Sequence, residues 1–366
     1  MSARRIPLMQ PMLPTADDLL PYLRRIDENR WYSNSGPLLR EFQARLAHAF
    51  GTAEGSIVLA ANGTLALQLA LTATARPGRQ KCLMPAWTFA ATPLAAMQAG
   101  LEPHFADIDP ATWALSPDAV MARHDLDDLA LIVPVAPFGH PPDVAAWNRV
   151  MDQTGVPVVI DAAAGFHGLA HAQSAPAATM PIMVSLHATK PLGIGEGGLI
   201  LTNDEELAAR LDRLRSFGFG DRAVLDAAGT NAKLSEYHAA IGLAALDAWP
   251  NKRSALVKAH ARYASNIRCM TGIGLMGGFS ADWTSTTLNI LTEEPAAAVI
   301  ARFAAHAIEA RSWWGSGCHR HPALSDLPSD PLPYTDALAP HVLGLPMSPD
   351  MSDADIDRVC ALLRAG

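Results

Sequence analysis

From about residue 55 onward, short apolar runs alternate with amphipathic segments. That alternation leaves little open beyond a sheet of strands joined by crossover helices. Residues 56–61 (SIVLAA) read as a strand, followed by Asn62-Gly63-Thr64 and a helix from Leu65. Residues 81–84 are a short strand before Pro85, and 129–135 (LALIVPV) a strand whose Pro134 suits a sheet edge. Residues 142–154 are helical, and 156–160 (VPVVI) form a buried strand ending at Asp161. Further strands fall at 181–187 and 198–202, and 205–215 (EELAARLDRLR) is a strongly amphipathic helix. A long helix starts near Ser235, an N-cap candidate, and Pro250 ends it. The expected fold is α/β, with a large domain over 1–248 (N-terminal arm included) whose mixed, mostly parallel sheet is flanked by helices. A smaller α/β domain over 249–366 closes in a helix starting at Ser352, with Ile356, Val359, Leu362 and Leu363 at helical spacing.

Composition removes several function classes. The chain has 366 residues, enough for one large core and a smaller second one. No apolar run approaches the ~18 residues a membrane span needs. Pro7, Pro11 and Pro14 interrupt the start, which lacks the apolar core of a signal peptide, so a cytoplasmic protein is expected. Cys82, Cys269, Cys318 and Cys360 are far apart and predict reduced thiols, neither a disulfide framework nor a zinc site. The net charge is −8 with no Lys/Arg-rich run, which argues against a nucleic-acid partner but not against a small anionic substrate in a local positive pocket.

Three places can carry chemistry. Asp161 stands at the carboxyl end of a buried strand, where open α/β sheets bind ligands. It reads either as the partner of a protonated pyridine nitrogen or as a helix N-cap. Lys190, in Ser185-Leu-His-Ala-Thr-Lys190, also follows a buried strand. It is either a nucleophilic amine whose pKa burial lowers or a solvated loop lysine. One crossover segment between the two would bring both to the same sheet edge. Asn62-Gly63-Thr64, between strand and helix, makes either a phosphate site from backbone N–H groups or an ordinary turn. Gly193-Ile-Gly195-Glu-Gly-Gly198 matches the spacing of a dinucleotide fingerprint but leads into an apolar strand, so a nicotinamide enzyme is set aside. Cys318-His319-Arg320-His321 lacks zinc-ligand spacing, and no metal is expected. Trp87 and the Trp313-Trp314 pair read as substrate walls or as core.

Taken together, these residues resemble the DegT/DnrJ/EryC1/StrS family of sugar aminotransferases, within the aspartate-aminotransferase-like, fold type I enzymes that use pyridoxal phosphate (PLP). The likeness runs through Asn34-Ser-Gly-Pro37, Asn62-Gly-Thr64, Pro85-Ala-Trp-Thr-Phe89, Phe105-Ala-Asp-Ile-Asp109, Asp161-Ala-Ala163 and His187-Ala-Thr-Lys190. It continues through Glu196-Gly-Gly198, Thr202-Asn-Asp204, Asn231-Ala-Lys-Leu-Ser-Glu236, Ala239-Ala-Ile-Gly242 and Leu345-Pro346. The resemblance implies that Lys190 holds PLP as a Schiff base and shuttles the proton. Asp161 would pair with the pyridine nitrogen and Trp87 stack on the ring, while Asn62, Gly63, Thr64 and Ser185 serve the phosphate. Asn231 would reach the phosphate from a neighbouring subunit, which implies a homodimer with shared sites. Ser35, His187, Arg311 and Trp313 are the implied substrate contacts, and Glu236 is matched without an assigned role.

The chain also departs from the family pattern. Ala164 stands where the family usually has Gln or His against the cofactor's phenolic oxygen, with His167 nearby as a substitute if the backbone allows. Pro134-Val-Ala-Pro-Phe-Gly139 replaces Pro-Val-His-Leu-Tyr-Gly, and Lys233 replaces an arginine. The implied reaction moves an amino group from an amino acid, by resemblance L-glutamate, to a nucleotide-linked keto sugar. The SNSGP and HATK…EGG blocks point to dTDP-4-keto-6-deoxyglucose. A 3-keto, UDP- or GDP-linked acceptor stays open, as do a sugar dehydratase and a non-catalytic regulatory protein. Lys190, which the family's dehydratases replace with histidine, favours transamination.

Overall fold

The computed structural model describes residues 4–172, 175–219, 224–280 and 283–364, so the outermost ends of the two expected domains lie outside the described residues. Seven strands build the main sheet: β1 (Ile57–Ala60), β2 (Lys81–Pro85), β3 (Glu102–Ala106), β4 (Leu129–Ile132), β5 (Ile160–Asp161), β6 (Ile182–Ser185) and β7 (Gly198–Leu201). Their two ladders run β1-β7-β6-β5 and β3-β2-β4. Parallel bridges from Ile132 to Val158 and from Val135 to Asp161 join them. Among the described residues, β7 is the one strand of this sheet reversed relative to the others, antiparallel to both β1 and β6. The sheet is therefore mixed and mostly parallel, with apolar cores on both faces. β1, β4, β6 and β7 are buried at every position, which is why they read as unbroken apolar runs.

Two prolines behave differently from their expected roles. Pro134 does not mark an edge. It follows β4 in the sheet interior, and its carbonyl accepts from the Asp161 N–H at 2.9 Å. Pairing continues on both sides of it, from the Val133 N–H to Leu83 O and from the Ala136 N–H to Asp161 O, both at 2.8 Å, so the proline costs a single donor. Pro250 does not end its helix, which runs from Glu236 to Ile267 behind the Ser235 cap. Burial on both sides of the proline, from Leu243 and Ala244 to Leu256 and Tyr263, outweighs a cost of about 3 kcal/mol for an interior proline.

The second sheet is antiparallel: β8 (Ile273–Leu275), β9 (Leu288–Thr292) and β10 (Val342–Leu345), in the order β10-β9-β8. Its core gathers Leu256 and Tyr263 of the long helix, Phe303, Ile356 and Leu363, and also Ile6 from the start of the chain. The N-terminal arm is held there by parallel bridges, Ile6 to Ile308 and Met9 to Met347.

Candidate active site

β5 and β6 are adjacent and parallel, with Asp161 opposite Met183, so Asp161 and the loop after β6 that carries Lys190 emerge on one side of the sheet. Asp161 is buried, 4% exposed. Its Oδ2 accepts from the Thr92 hydroxyl at 2.8 Å and its Oδ1 from the Ala163 N–H at 3.1 Å. Thr92 is in turn 2.7 Å from the Thr88 hydroxyl. Burial pushes the Asp161 carboxyl above the usual range, while Thr92, the Ala163 N–H and the Lys190 charge pull it back. Burial lowers the Lys190 amine below the ordinary lysine value, opposed by Asp161. A lysine so placed holds its proton loosely, which a nucleophilic amine requires.

The loop around Lys190 is shaped by the glycines that matched a dinucleotide fingerprint. The Ala188 N–H donates to Gly195 O at 2.7 Å and the Leu186 N–H to Gly197 O at 2.8 Å, after which the chain enters β7 rather than a helix. A Cβ on Gly193 would sit 2.4 Å from Ala188 O, so only glycine allows this approach.

Asn62 caps the Gly63–Thr74 helix, its Oδ1 accepting from Leu65 N at 2.8 Å. Among the described residues, this leaves the Gly63 and Thr64 N–H groups as open donors at a helix start. A Cβ on Gly63 would lie 2.9 Å from Ser185 Cβ, so the open turn rests directly on the Ser185 side chain.

Trp87 is almost wholly buried, with its Nε1 unpartnered among the described residues. Trp314 meets it edge-on at 5.4 Å and stacks on Phe138 at 4.0 Å. Cys318 anchors this segment by an N–H bond to Ala86 O, at 2.8 Å, and a thiol contact to Thr88 O, at 3.1 Å. Trp314 thus stands in the aromatic cluster beside Trp87, while Trp313 packs over Gly344 with the Arg311 guanidinium 5.4 Å from its ring.

The remaining expected residues lie as follows. His187 is half-exposed, with Nδ1 2.8 Å from the Thr189 hydroxyl and Nε2 3.5 Å from Glu196. Ala164 is in the turn after Asp161, its carbonyl against Gly139. His167 does not take the missing side chain's place: Nδ1 accepts from Thr284 N at 2.8 Å, and Nε2 lies 2.8 Å from Arg253 Nε. Ser35 accepts from Arg215 at 3.0 Å, and Asn231 is exposed and accepts from Lys233 at 2.6 Å. Neither bonds to Asp161, Ser185 or Lys190 within one chain. Glu236 acquires a role: its carboxylate accepts from Leu38 N and Leu39 N, both at 2.9 Å, fixing the start of the Pro37–Phe50 helix. The four cysteines are free, and no metal-binding cluster occurs among the described residues.

These features fit PLP. A buried carboxylate raised by burial, and in no ion pair within 4 Å among the described residues, suits a protonated ring nitrogen. The open helix start over Ser185 suits a phosphate, and an apolar aromatic wall suits a flat ring.

Residues 15–364 match the DegT/DnrJ/EryC1/StrS aminotransferase family. The chain is 28% identical over 376 residues to dTDP-4-amino-4,6-dideoxy-D-glucose transaminase of Escherichia coli, covering 99% of each. It is 30% identical over 362 residues to dTDP-3-amino-3,4,6-trideoxy-alpha-D-glucose transaminase of Streptomyces venezuelae, covering 93% of this chain and 89% of that one. The crystal structure of DesI in the presence of its TDP-sugar product superimposes with a TM-score of 0.87 at 32% identity, covering 100% of this chain and 94% of that one. The protein is therefore a PLP-dependent aminotransferase and belongs to the DegT/DnrJ/EryC1/StrS family.

Proposed function

We propose that the protein transfers an amino group from L-glutamate to a nucleotide-linked keto hexose, with dTDP-4-keto-6-deoxyglucose the acceptor of choice. The observation that carries the chemistry is the pair of Asp161, at the end of β5, and Lys190, in the loop that follows the adjacent parallel strand β6. The names of the relatives support a nucleotide-linked acceptor, and their variety at C3 and C4 leaves the aminated carbon to experiment.

When bound, PLP supplies an electron sink for the substrate carbon. Lys190 would hold it covalently through Nζ, then take and return the proton that moves between substrate and cofactor. Asp161, kept anionic by a cationic partner, would hold the ring nitrogen's proton in place. The Gly63 and Thr64 N–H groups with Ser185 would bind the phosphate, and Trp87 would exclude water from one ring face. Ser35, His187, Arg311 and Trp313 are assigned to the substrate. Asn231 is assigned to the phosphate of a second copy, in a cytoplasmic homodimer with shared sites. Its exposure, on a bridge to Ser216 next to the exposed Phe217, supports that arrangement.

Borohydride reduction followed by peptide mass spectrometry should place the cofactor on Lys190. Lys190→Ala should lose both that adduct and the visible colour that glutamate bleaches. A colourless holoprotein, or an adduct that survives in Lys190→Ala, overturns the assignment. Incubation with a panel of nucleotide keto sugars, read by mass spectrometry, identifies the acceptor.

A further inference from the structure

The small sheet has two unlike faces. Leu288 and Ile290 of β9, with Leu343 and Leu345 of β10, turn into the second core. The positions between them, Asn289 and Gly344, are direct cross-strand partners and share the opposite face. Gly344 leaves its place empty of side chain, and the Trp313 indole occupies it: a Cβ there would sit 2.3 Å from Trp313 Nε1. Asn289 is only 6% exposed. Among the described residues, neither atom of its amide has a hydrogen-bond partner, and neither has the Trp313 indole N–H. Folded proteins rarely leave buried polar atoms unpaired. Three of them on one face of the sheet indicate a polar group that the chain itself does not supply.

Their surroundings say which group. Val342, on the same face as Gly344, belongs to the cluster that contains Trp87, and Trp313 and Trp314 pack against that cluster. The unpaired atoms therefore adjoin the aromatic wall of the active site. One acceptor and two donors without a formal charge suit hydroxyl groups, which both give and take hydrogen bonds. A carboxylate or phosphate would face the lone pairs of Asn289 Oδ1. Polarity changes outward, where the exposed Arg311 lies over the Trp313 ring.

We propose that Asn289 and the Trp313 indole N–H form a subsite for the ring hydroxyls of the acceptor hexose, with Arg311 at its rim toward the anionic diphosphate. This rests on the nucleotide-sugar reading above. The test is calorimetry on the holoenzyme with dTDP-glucose and with dTDP alone. Asn289→Leu keeps the volume and removes the amide. It should weaken dTDP-glucose by about tenfold or more and leave dTDP unchanged. Trp313→Phe should show a smaller loss of the same kind, and it decides the matter if Asn289→Leu does not fold. Without ligand, Asn289→Leu should melt at the wild-type temperature or above, because an unpaired buried amide has been removed. A lower melting temperature would mean that the amide serves the fold through a trapped water, and the proposal fails. It fails equally if both probes weaken together, or if wild type prefers dTDP-glucose over dTDP and neither variant alters that preference. Wild type that binds neither probe overturns the nucleotide-sugar reading, and the subsite with it.

Discussion

Asp161 combines burial with two hydrogen-bond donors and an amine of opposite charge, and each acts differently on its proton. Burial alone favours the neutral acid, whereas the chemistry assigned to it needs the anion. Asp161→Asn retains the shape and removes the charge. Its kcat should fall by a factor on the order of 10², while its urea midpoint stays equal or rises because a buried charge has gone. A variant turning over near the wild-type rate would remove Asp161 from the mechanism. At this scale the sequence was informative where a charged residue closes an apolar run, as at Asp161 and Lys190. It was silent about Thr92, since a threonine at the start of a helix looks the same whether or not it donates to a distant carboxylate. Asn289 was hidden in the same way, since an asparagine within a short apolar run shows nothing of what its amide will face. Glu236 was matched by resemblance alone, and its function became visible only when the chain had brought it to Leu38 and Leu39.

Glu236 ties two helices together. The Pro37–Phe50 helix has no side-chain cap of its own, because Gly36 stands at its N-cap. The Glu236 carboxylate satisfies two of its first N–H groups, and a Cβ on Gly36 would collide with that carboxylate at 2.5 Å. Glu236→Ala leaves both N–H groups buried and unpaired, at a cost of about 1–3 kcal/mol each. A urea titration should show a lower midpoint with an unchanged slope, and a shift under ~0.5 kcal/mol would contradict this account. Element boundaries were legible where caps and apolar runs agree, as for the helix behind Ser235. They were misread at Pro134 and Pro250, because local rules for proline carry no information about the packing that overrides them. The strand expected over 156–160 narrows to Ile160 and Asp161 for a related reason: its neighbours pair through an isolated bridge rather than a ladder.

For the whole molecule, the two sheets meet through a buried histidine system. His167 lies behind the Asp161 turn and receives Thr284 N, and His260 sits 2.9 Å from Ser285 O. Burial pushes each imidazole down to about 4, with Arg253 adding to the effect at His167. The unfolded chain, with imidazoles near their ordinary value, binds more protons between about pH 6.5 and pH 4. The stability these two groups confer is therefore complete above about pH 6.5 and is lost as the pH falls toward 4, on the order of 3 kcal/mol for each. Urea midpoints between pH 7.5 and pH 4.5 should fall accordingly, and less steeply in His260→Asn. A flat profile would show that these rings stay neutral for no energetic reason. The α/β class and the main sheet could be read from periodicity, but this contact with the second sheet's side could not, since Thr284 and His167 are brought together only by the fold.

The N-terminal arm gives the second core a history in time. Ile6 and Met9 pair with Ile308 and Met347, residues that the ribosome adds roughly three hundred positions later. At about 5–20 residues per second, the arm waits for tens of seconds before its partners exist. Synthesis therefore sets a fixed order of assembly: the main sheet can close early, while the part of the molecule that receives the N-terminal arm is completed last.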